Sequence, residues 1–230
     1  MDLGIMLNNI VNIIAKYWKV FILEGVSNTL ILSFIAVFFG TIIGALFAIG
    51  KMTRIKPLQW IITAMVELTR GTPMLLQLYL FVFLLPSLIP ALNQINNANY
   101  ICVAVALVLN SAAYVSEIIR SGIEAVDKGQ TEASRSLGLS KTTTMVSIVL
   151  PQAVKNILPA LGNEFITVVK ETSLASTFFI GDLMTSYLKV KGVNYLTMEC
   201  LIITGAIYFI LNFILSKLLL VVERRMKAHA

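Results

Sequence analysis

The stretch TEASRSLGLSKTTTMVSIVLP, from Thr131 to Pro151, is rich in small polar residues in a chain that is otherwise mostly apolar. Of the 230 residues, 57% are hydrophobic and only 13% are charged, whereas a soluble globular domain is about half apolar and about a quarter charged. Apolar runs of about 20 residues, which can cross a hydrocarbon core about 30 Å thick, occur on both sides of the stretch. The composition predicts an all-α integral membrane protein in which the quoted stretch lies in water.

Five apolar segments are long enough to be transmembrane helices. Before them, a segment of about 5–18 has apolar residues at helical spacing and ends at Trp18, which favours an interfacial helix. The chain is therefore predicted to form one transmembrane domain over residues 1–230, with a water-exposed loop at about 123–143. The predicted spans are about 21–50, 57–86, 99–120, 144–172 and 195–222.

Lysine and arginine are unevenly distributed among the segments outside the spans. Three of these segments carry three, four and three basic residues, and the two between them carry none and two. Because basic residues are enriched on the cytoplasmic side, we expect the N-terminus outside the cell membrane and the quoted stretch and the C-terminus in the cytoplasm. The basic segments hold Lys51, Arg54 and Lys56, then Arg120, Lys128, Arg135 and Lys141, and then Arg224, Arg225 and Lys227; the other side holds Lys189 and Lys191.

Capping signals predict a short helix within the loop, at about 128–137. Asp127 is a good N-cap residue, and Gln130 follows at the spacing of a capping box. Gly138 allows a left-handed C-cap, and Ser140 can cap the next helix. A connector does not need defined ends, so the two caps favour a docking element over a passive loop.

The loop resembles the EAA loop of ABC-transporter permease subunits. That pattern reads E-A-A, three residues, G, nine residues, then I-x-L-P. Every spacing agrees, and Ser134 is the one departure, since it stands at the second alanine; because it is also small, close packing against a partner is expected to survive. The matching residues are Glu132, Ala133, Ser134, Gly138, Ile148, Leu150 and Pro151.

The resemblance extends over nearly the whole chain. Segments such as ELTRGTPMLLQL and LPALGNEFITVVKETSLAS are similar to the polar amino-acid permeases of the histidine/glutamine/arginine type. The resemblance implies a type I importer fold, in which two permease subunits carry the amino acid and two cytoplasmic ATPase subunits drive them. It also implies an extracellular substrate-binding protein, and an ATPase-coupling role for Glu132, Ala133, Ser134 and Gly138.

ATP hydrolysis is expected on another chain. The sequence contains no G-x-x-x-x-G-K-[ST] pattern with which to bind phosphates, so we expect no cofactor on this chain, and ATP with Mg on the partner ATPase. Cys102 and Cys200 lie in apolar runs, which favours buried thiols over a disulfide framework. His229 is the single histidine, so no metal site is expected.

Polar residues inside the predicted spans are candidates for the substrate path, because such groups are costly in lipid. In the second span, Glu67 and Arg70 share one helix face and precede Thr72-Pro73, which should break the helix near its middle. An internal Glu67–Arg70 ion pair that steadies the break is one interpretation, and a substrate site at the broken helix is the other.

Two further pairs lie near the middle of the third and fourth spans. Asn110 and Ser111 are either helix–helix hydrogen-bonding groups or part of the path. Glu164, beside Asn163, has no basic residue three or four positions away on its helix. Its partner is therefore either a neighbouring helix or the cationic group of a substrate.

Two other classes of protein compete with the importer subunit. A stand-alone secondary transporter or channel would usually need more spans or a duplicated half, and the sequence shows neither. A membrane-embedded enzyme is not indicated, because the sequence has no HExxH or GxSxG pattern.

Overall fold

The computed structural model describes residues 3–228, and all regular structure in that range is helical. A 3-10 turn, Pro90–Gln94, precedes α4, and the first and sixth helices contain π-helical turns. The helices are α1 (Leu3–Met52), α2 (Lys56–Gly71), α3 (Met74–Leu88), α4 (Ala98–Glu124), α5 (Lys128–Ser136), α6 (Lys141–Phe178), α7 (Leu183–Asn194) and α8 (Thr197–Ala228).

The long helices agree with an all-α membrane protein of about five spans. Helices α1, α4, α6 and α8 are each long and apolar enough to cross a membrane, and the bent pair α2–α3 makes a fifth candidate. The predicted N-terminal helix of about 5–18 and the first predicted span both fall within α1, whose 50 residues run without a break. The limits of the spans in the bilayer stay predictions.

A π-helical turn over Val20–Val26 lies inside α1. At this turn Gly25 packs so closely on α7 that a Cβ atom would lie 2.6 Å from Ser186 Oγ. The same Ser186 hydroxyl donates to the carbonyl of Val20 at 2.9 Å. The irregular turn is therefore built into the contact between α1 and α7.

Small residues bring α1 and α4 close together. A Cβ on Gly40 would lie 2.9 Å from Ser111 Cβ, and one on Gly44 would lie 2.8 Å from the Ala112 carbonyl oxygen. In membranes, helices associate through small residues of this kind because they let the backbones approach. This contact places Asn110 and Ser111 in the centre of the protein.

The second predicted span is broken at Thr72-Pro73, as the sequence predicts. Helix α2 ends at Gly71 and α3 begins at Met74, with a bend of 111° between them. Thr72 has extended backbone angles (φ −114°, ψ 147°), and Pro73 is the N-cap of α3. The two helix axes are thus nearly perpendicular.

Candidate functional site

The loop between α4 and α6 is a capped helix, as the sequence predicts. Asp127 Oδ1 accepts a hydrogen bond from the Gly129 amide at 2.6 Å, and Ser140 Oγ accepts one from the Thr143 amide at 3.1 Å. Gly138 adopts a φ of +84°, the left-handed conformation expected after the last turn. The ends of α5 are therefore defined by specific backbone interactions.

Ser134 packs inside the chain and does not face a partner. Its side chain is 5% exposed, and its Oγ lies 3.2 Å from Thr144 Oγ1 and donates to the Thr131 carbonyl at 3.0 Å. The expectation that Ser134 packs against a partner is therefore wrong. Its small size is needed because it sits where α5 meets the start of α6.

Several other side chains of α5 and its C-cap are open. Glu132 and Ala133 are exposed, and Leu137 is 82% exposed. The helical spacing could also place Leu137 with Ala133 toward the membrane side, yet the described part of the chain leaves most of the Leu137 side chain uncovered. An exposed leucine and an exposed carboxylate, on a helix with fixed ends, offer a surface suited to another protein.

A glutamine that the sequence analysis did not consider closes the break between α2 and α3. The Gln77 amide nitrogen donates to the Thr69 carbonyl at 2.7 Å, to the Thr72 carbonyl at 3.1 Å and to Thr72 Oγ1 at 3.0 Å. Its oxygen accepts from Asn110 Nδ2 at 3.0 Å. Gln77 and Asn110 are both buried. The broken helix is thus fixed to α4 by a fully used amide.

Replacing Gln77 with leucine should destabilise the protein measurably. The variant removes the partner of the Asn110 side-chain amide and the Gln77 donor to the Thr72 carbonyl, and it leaves the Thr69 carbonyl with only the longer bond from Thr72 Oγ1. The cost should be about 2 kcal/mol. For a chain of this size the thermal midpoint in detergent should fall by about 4–8 °C. Ser87→Ala is the matched control on the same helix, because Ser87 is exposed and bonds only within its own turn. An unchanged thermal midpoint for Gln77→Leu would show that the Gln77 side chain does not stabilise the contact between the broken helix and α4.

Arg70 pairs with α4, and the interpretation of an internal Glu67–Arg70 ion pair is wrong. Arg70 Nη1 lies 3.7 Å from Glu117 Oε2, and its guanidinium stands 5.5 Å from the centre of the Tyr114 ring. Glu67 is exposed and makes no ion pair within the described residues. The fold places the end of α2 beside Glu117 of α4, so Arg70 pairs across helices and not with its neighbour in the chain.

Glu117 joins three helices. It pairs with Lys51 at the end of α1, with Arg70 at the end of α2, and with Arg120 on its own helix at 2.9 Å. Arg120 also pairs with Glu124 at 2.6 Å. The sequence analysis did not identify this junction, because Lys51 and Arg70 are far from Glu117 in the chain.

Glu164 is buried in α6, facing α4. Its side chain is 8% exposed and interacts with the hydroxyl of Ser111, a buried group that completes no hydrogen bond of good geometry within the described residues. Glu164 forms no ion pair in the described part of the chain. The structure therefore brings Ser111 and Glu164 together, and Asn110 lies next to them on α4.

Asn163 precedes Glu164 in α6 but is not buried with it, and Glu67 and Arg70 lie on α2. Asn163 is exposed, and its carbonyl accepts from Thr167. Across residues 3–228, no three His, Cys, Asp or Glu side chains are grouped so that they could hold a metal ion. His229 lies outside the described residues.

Comparison with known proteins identifies relatives over nearly the whole chain. Residues 37–228 match the family model described as binding-protein-dependent transport system inner membrane component. An arginine transport system permease protein of Bacillus subtilis (strain 168) is 42% identical over 209 residues, which cover 91% of this chain and 94% of the relative. A putative glutamine transport system permease protein of Rickettsia bellii (strain RML369-C) is 40% identical, covering 90% and 93%.

One further relative and two solved structures extend the comparison. An L-cystine transport system permease protein of Bacillus subtilis (strain 168) is 34% identical, covering 93% of this chain and 89% of the relative. A solved structure, the crystal structure of an amino acid ABC transporter with histidines, is 42% identical with a TM-score of 0.86, covering 92% and 96%. An inward-facing structure of the MetNI methionine ABC transporter is 18% identical with a TM-score of 0.64, covering 88% and 96%, and shares the fold.

Proposed function

The chain belongs to the binding-protein-dependent transport system inner membrane components, and from that membership we propose that it is the membrane-spanning subunit of an ATP-driven importer of polar amino acids. The relatives that support this substrate class are named for arginine, glutamine and L-cystine transport. The observation that carries the proposal is helix α5, whose capped ends present an exposed face and whose spacing resembles the EAA loop.

We propose that α5 couples this chain to a separate ATPase. Glu132, Ala133 and the exposed Leu137 form the contact surface, and Gly138 fixes the turn that orients it. Ser134 contributes from inside, by joining α5 to the start of α6 through Thr144. ATP and Mg act on the partner ATPase, and this chain needs no cofactor of its own.

We further propose that two permease subunits, identical or sister chains, enclose the path, since about five spans are too few to do so alone. An extracellular substrate-binding protein delivers the amino acid. The buried pair Ser111 and Glu164, with neighbouring Asn110 and Asn163, lines the path. Glu67 and Arg70 are not part of this proposed path, because Arg70 is held by Glu117 and Glu67 lies on an exposed face.

Reconstitution tests the proposed function directly. The chain is purified from cells with its ATPase and placed in liposomes with its binding protein, and uptake of labelled arginine, glutamine and cystine is measured with and without ATP. We expect ATP-dependent accumulation of at least one of them, and co-isolation of the ATPase. Uptake by the chain alone, driven by an ion gradient or proceeding passively, would favour the alternative of a secondary transporter or channel.

The proposed orientation in the cell membrane places α5 in the cytoplasm and the N-terminus outside. Single cysteines are introduced at Arg54 and at Val193, which are both exposed, in a background whose native Cys102 and Cys200 are buried. A membrane-impermeant maleimide should label Val193→Cys in intact cells, and Arg54→Cys only after permeabilisation. The reverse pattern would show that the orientation is inverted.

A further inference from the structure

We propose that α2 is an in-plane helix that lies among the lipid headgroups on the α5 side of the membrane, so that α3, and not α2, enters the hydrocarbon core. This inference goes beyond transport and does not depend on which solute is carried. It rests on the depth of the contacts at the two ends of α2, on the bend to α3, and on the division of the α2 surface into opposite faces.

The edge of the hydrocarbon core is marked by an ion pair between two spans. In α1, residues 27–50 contain no charged side chain and Lys51 is the first; in α4, residues 98–116 contain none and Glu117 is the first. Lys51 and Glu117 form an ion pair with each other. Because charged groups gather at the membrane interface, this pair marks the same edge for both helices.

Both ends of α2 contact this marked edge. Near its start, Gln59 Nε2 donates to the Lys51 carbonyl at 3.0 Å. At its end, Arg70 pairs with Glu117 at 3.7 Å. These two residues are about 16 Å apart along the helix axis, at 1.5 Å per residue. A helix that crossed the membrane would hold them at different depths, whereas an in-plane helix holds both at the edge.

The bend and the surface of α2 agree with this placement. The axis turns by 111° into α3, which follows α4 back through the membrane. At about 100° per residue, one exposed face is apolar, and a polar face of about the same width lies opposite to it. The apolar face consists of Leu58, Ile61, Met65 and Leu68, at 42–69% exposure, and the polar face consists of Lys56, Gln59, Thr63, Glu67 and Arg70.

Trp60 lies at the boundary between the two faces and is 75% exposed. Tryptophan is enriched at the level of the headgroups, where one side of the ring is apolar and the other is wet. An amphipathic helix of this kind buries its apolar face in the acyl boundary and keeps its polar face in water. The bilayer interface is therefore the partner that fits both faces at once.

Spin labels test the depth of α2 in the full chain reconstituted in nanodiscs, with Cys102 and Cys200 replaced by alanine. Single labels at Leu58, Ile61, Met65 and Leu68 should lie within about 5 Å of one depth, since they share a face of an in-plane helix. Labels at Thr63 and Glu67 should lie about 10 Å shallower, one helix diameter away, and be open to a water-soluble nickel reagent.

Helix α8 is the matched control, because it has exposed apolar residues along its length. Leu201, Ile210 and Leu218 span about 25 Å along the α8 axis. The label at Ile210 should lie deeper in the membrane than the labels at Leu201 and Leu218. A steady change of about 15 Å from Leu58 to Leu68 would show that α2 crosses the core and overturn the proposal. Exclusion of the nickel reagent from Thr63 and Glu67 would also overturn it, by showing that a second subunit covers the polar face.

Trp60 provides a second measurement without a label. The chain has two tryptophans, so Trp18→Phe leaves Trp60 alone. Its fluorescence should be quenched more by lipids brominated near the headgroup than by lipids brominated near the end of the acyl chain. Stronger quenching by the deep bromine would contradict an interfacial position.

Discussion

Gly138→Val is expected to lower substrate-stimulated ATP hydrolysis of the assembled complex by about tenfold, while the chain still inserts into the membrane. Gly138 has a φ of +84°, and no atom of a residue beyond its two chain neighbours lies within 4 Å of the position that a Cβ would take, so the cost comes from the backbone and not from crowding. That conformation costs about 1–2 kcal/mol for a residue with a side chain. If the turn at residue 138 adopts a different φ to avoid this cost, α5 is no longer held in one orientation. The measurement is ATPase activity with saturating binding protein and substrate.

Two further variants separate backbone strain from other effects. Gly138→Asn should retain most of the stimulated activity, since asparagine tolerates the left-handed region. Gly192→Ala is the matched control, because Gly192 also has open space around it but lies in α7 without a positive φ. Equal activity for Gly138→Val and Gly192→Ala would show that the turn does not carry coupling.

Glu132→Lys tests the exposed surface independently of the turn. Glu132 is exposed and forms no ion pair within residues 3–228, so its replacement leaves the caps of α5 intact. The change reverses the charge offered to the ATPase, and we expect the stimulated activity to fall with little change in thermal midpoint. If this variant retains full coupled transport, Glu132 is not part of the contact surface with the ATPase.

The parts of the structure that depend on neighbouring residues could be predicted from the sequence. The N-caps at Asp127 and Ser140, the positive φ at Gly138 and the break at Thr72-Pro73 all follow from backbone chemistry within a few positions. The approximate number of spans also follows, because the length of an apolar run decides whether it can cross a membrane.

The parts that depend on distant residues could not be predicted. Arg70 has an acidic neighbour three positions away, which favours a local pair, but the fold offers Glu117 from another helix. The position of Ser134 in the pattern gives no information on which side of α5 is covered by the chain itself, and only the structure shows that Ser134 is buried. Gln77 carried a usable signal, a lone amide in an apolar run, although only the structure shows which carbonyls it binds.

Glu164→Gln is expected to reduce uptake of a cationic amino acid such as arginine much more than uptake of glutamine. Glu164 is 8% exposed and has no cationic partner within the described residues. A charged group left unpaired at that depth costs several kcal/mol, so an arriving guanidinium or ammonium group would gain a strong interaction. A hydrogen bond to a charged group is worth about 1.5–3 kcal/mol, which corresponds to a loss of about 10- to 150-fold in arginine uptake.

The measurement is uptake into proteoliposomes that contain the complete complex, with basal ATP hydrolysis and co-isolation of the ATPase as checks on assembly. Glu164→Asp should recover part of the preference for arginine because it keeps the charge. Glu24→Gln is the control for loss of a carboxylate elsewhere, since Glu24 is exposed and pairs only with Lys189 at 3.2 Å within the described residues. If Glu164→Gln lowers the uptake of both amino acids equally, Glu164 acts through its contact with Ser111 as a packing group. The path would then have to be sought around Asn110, whose side chain the Gln77 amide already holds in place.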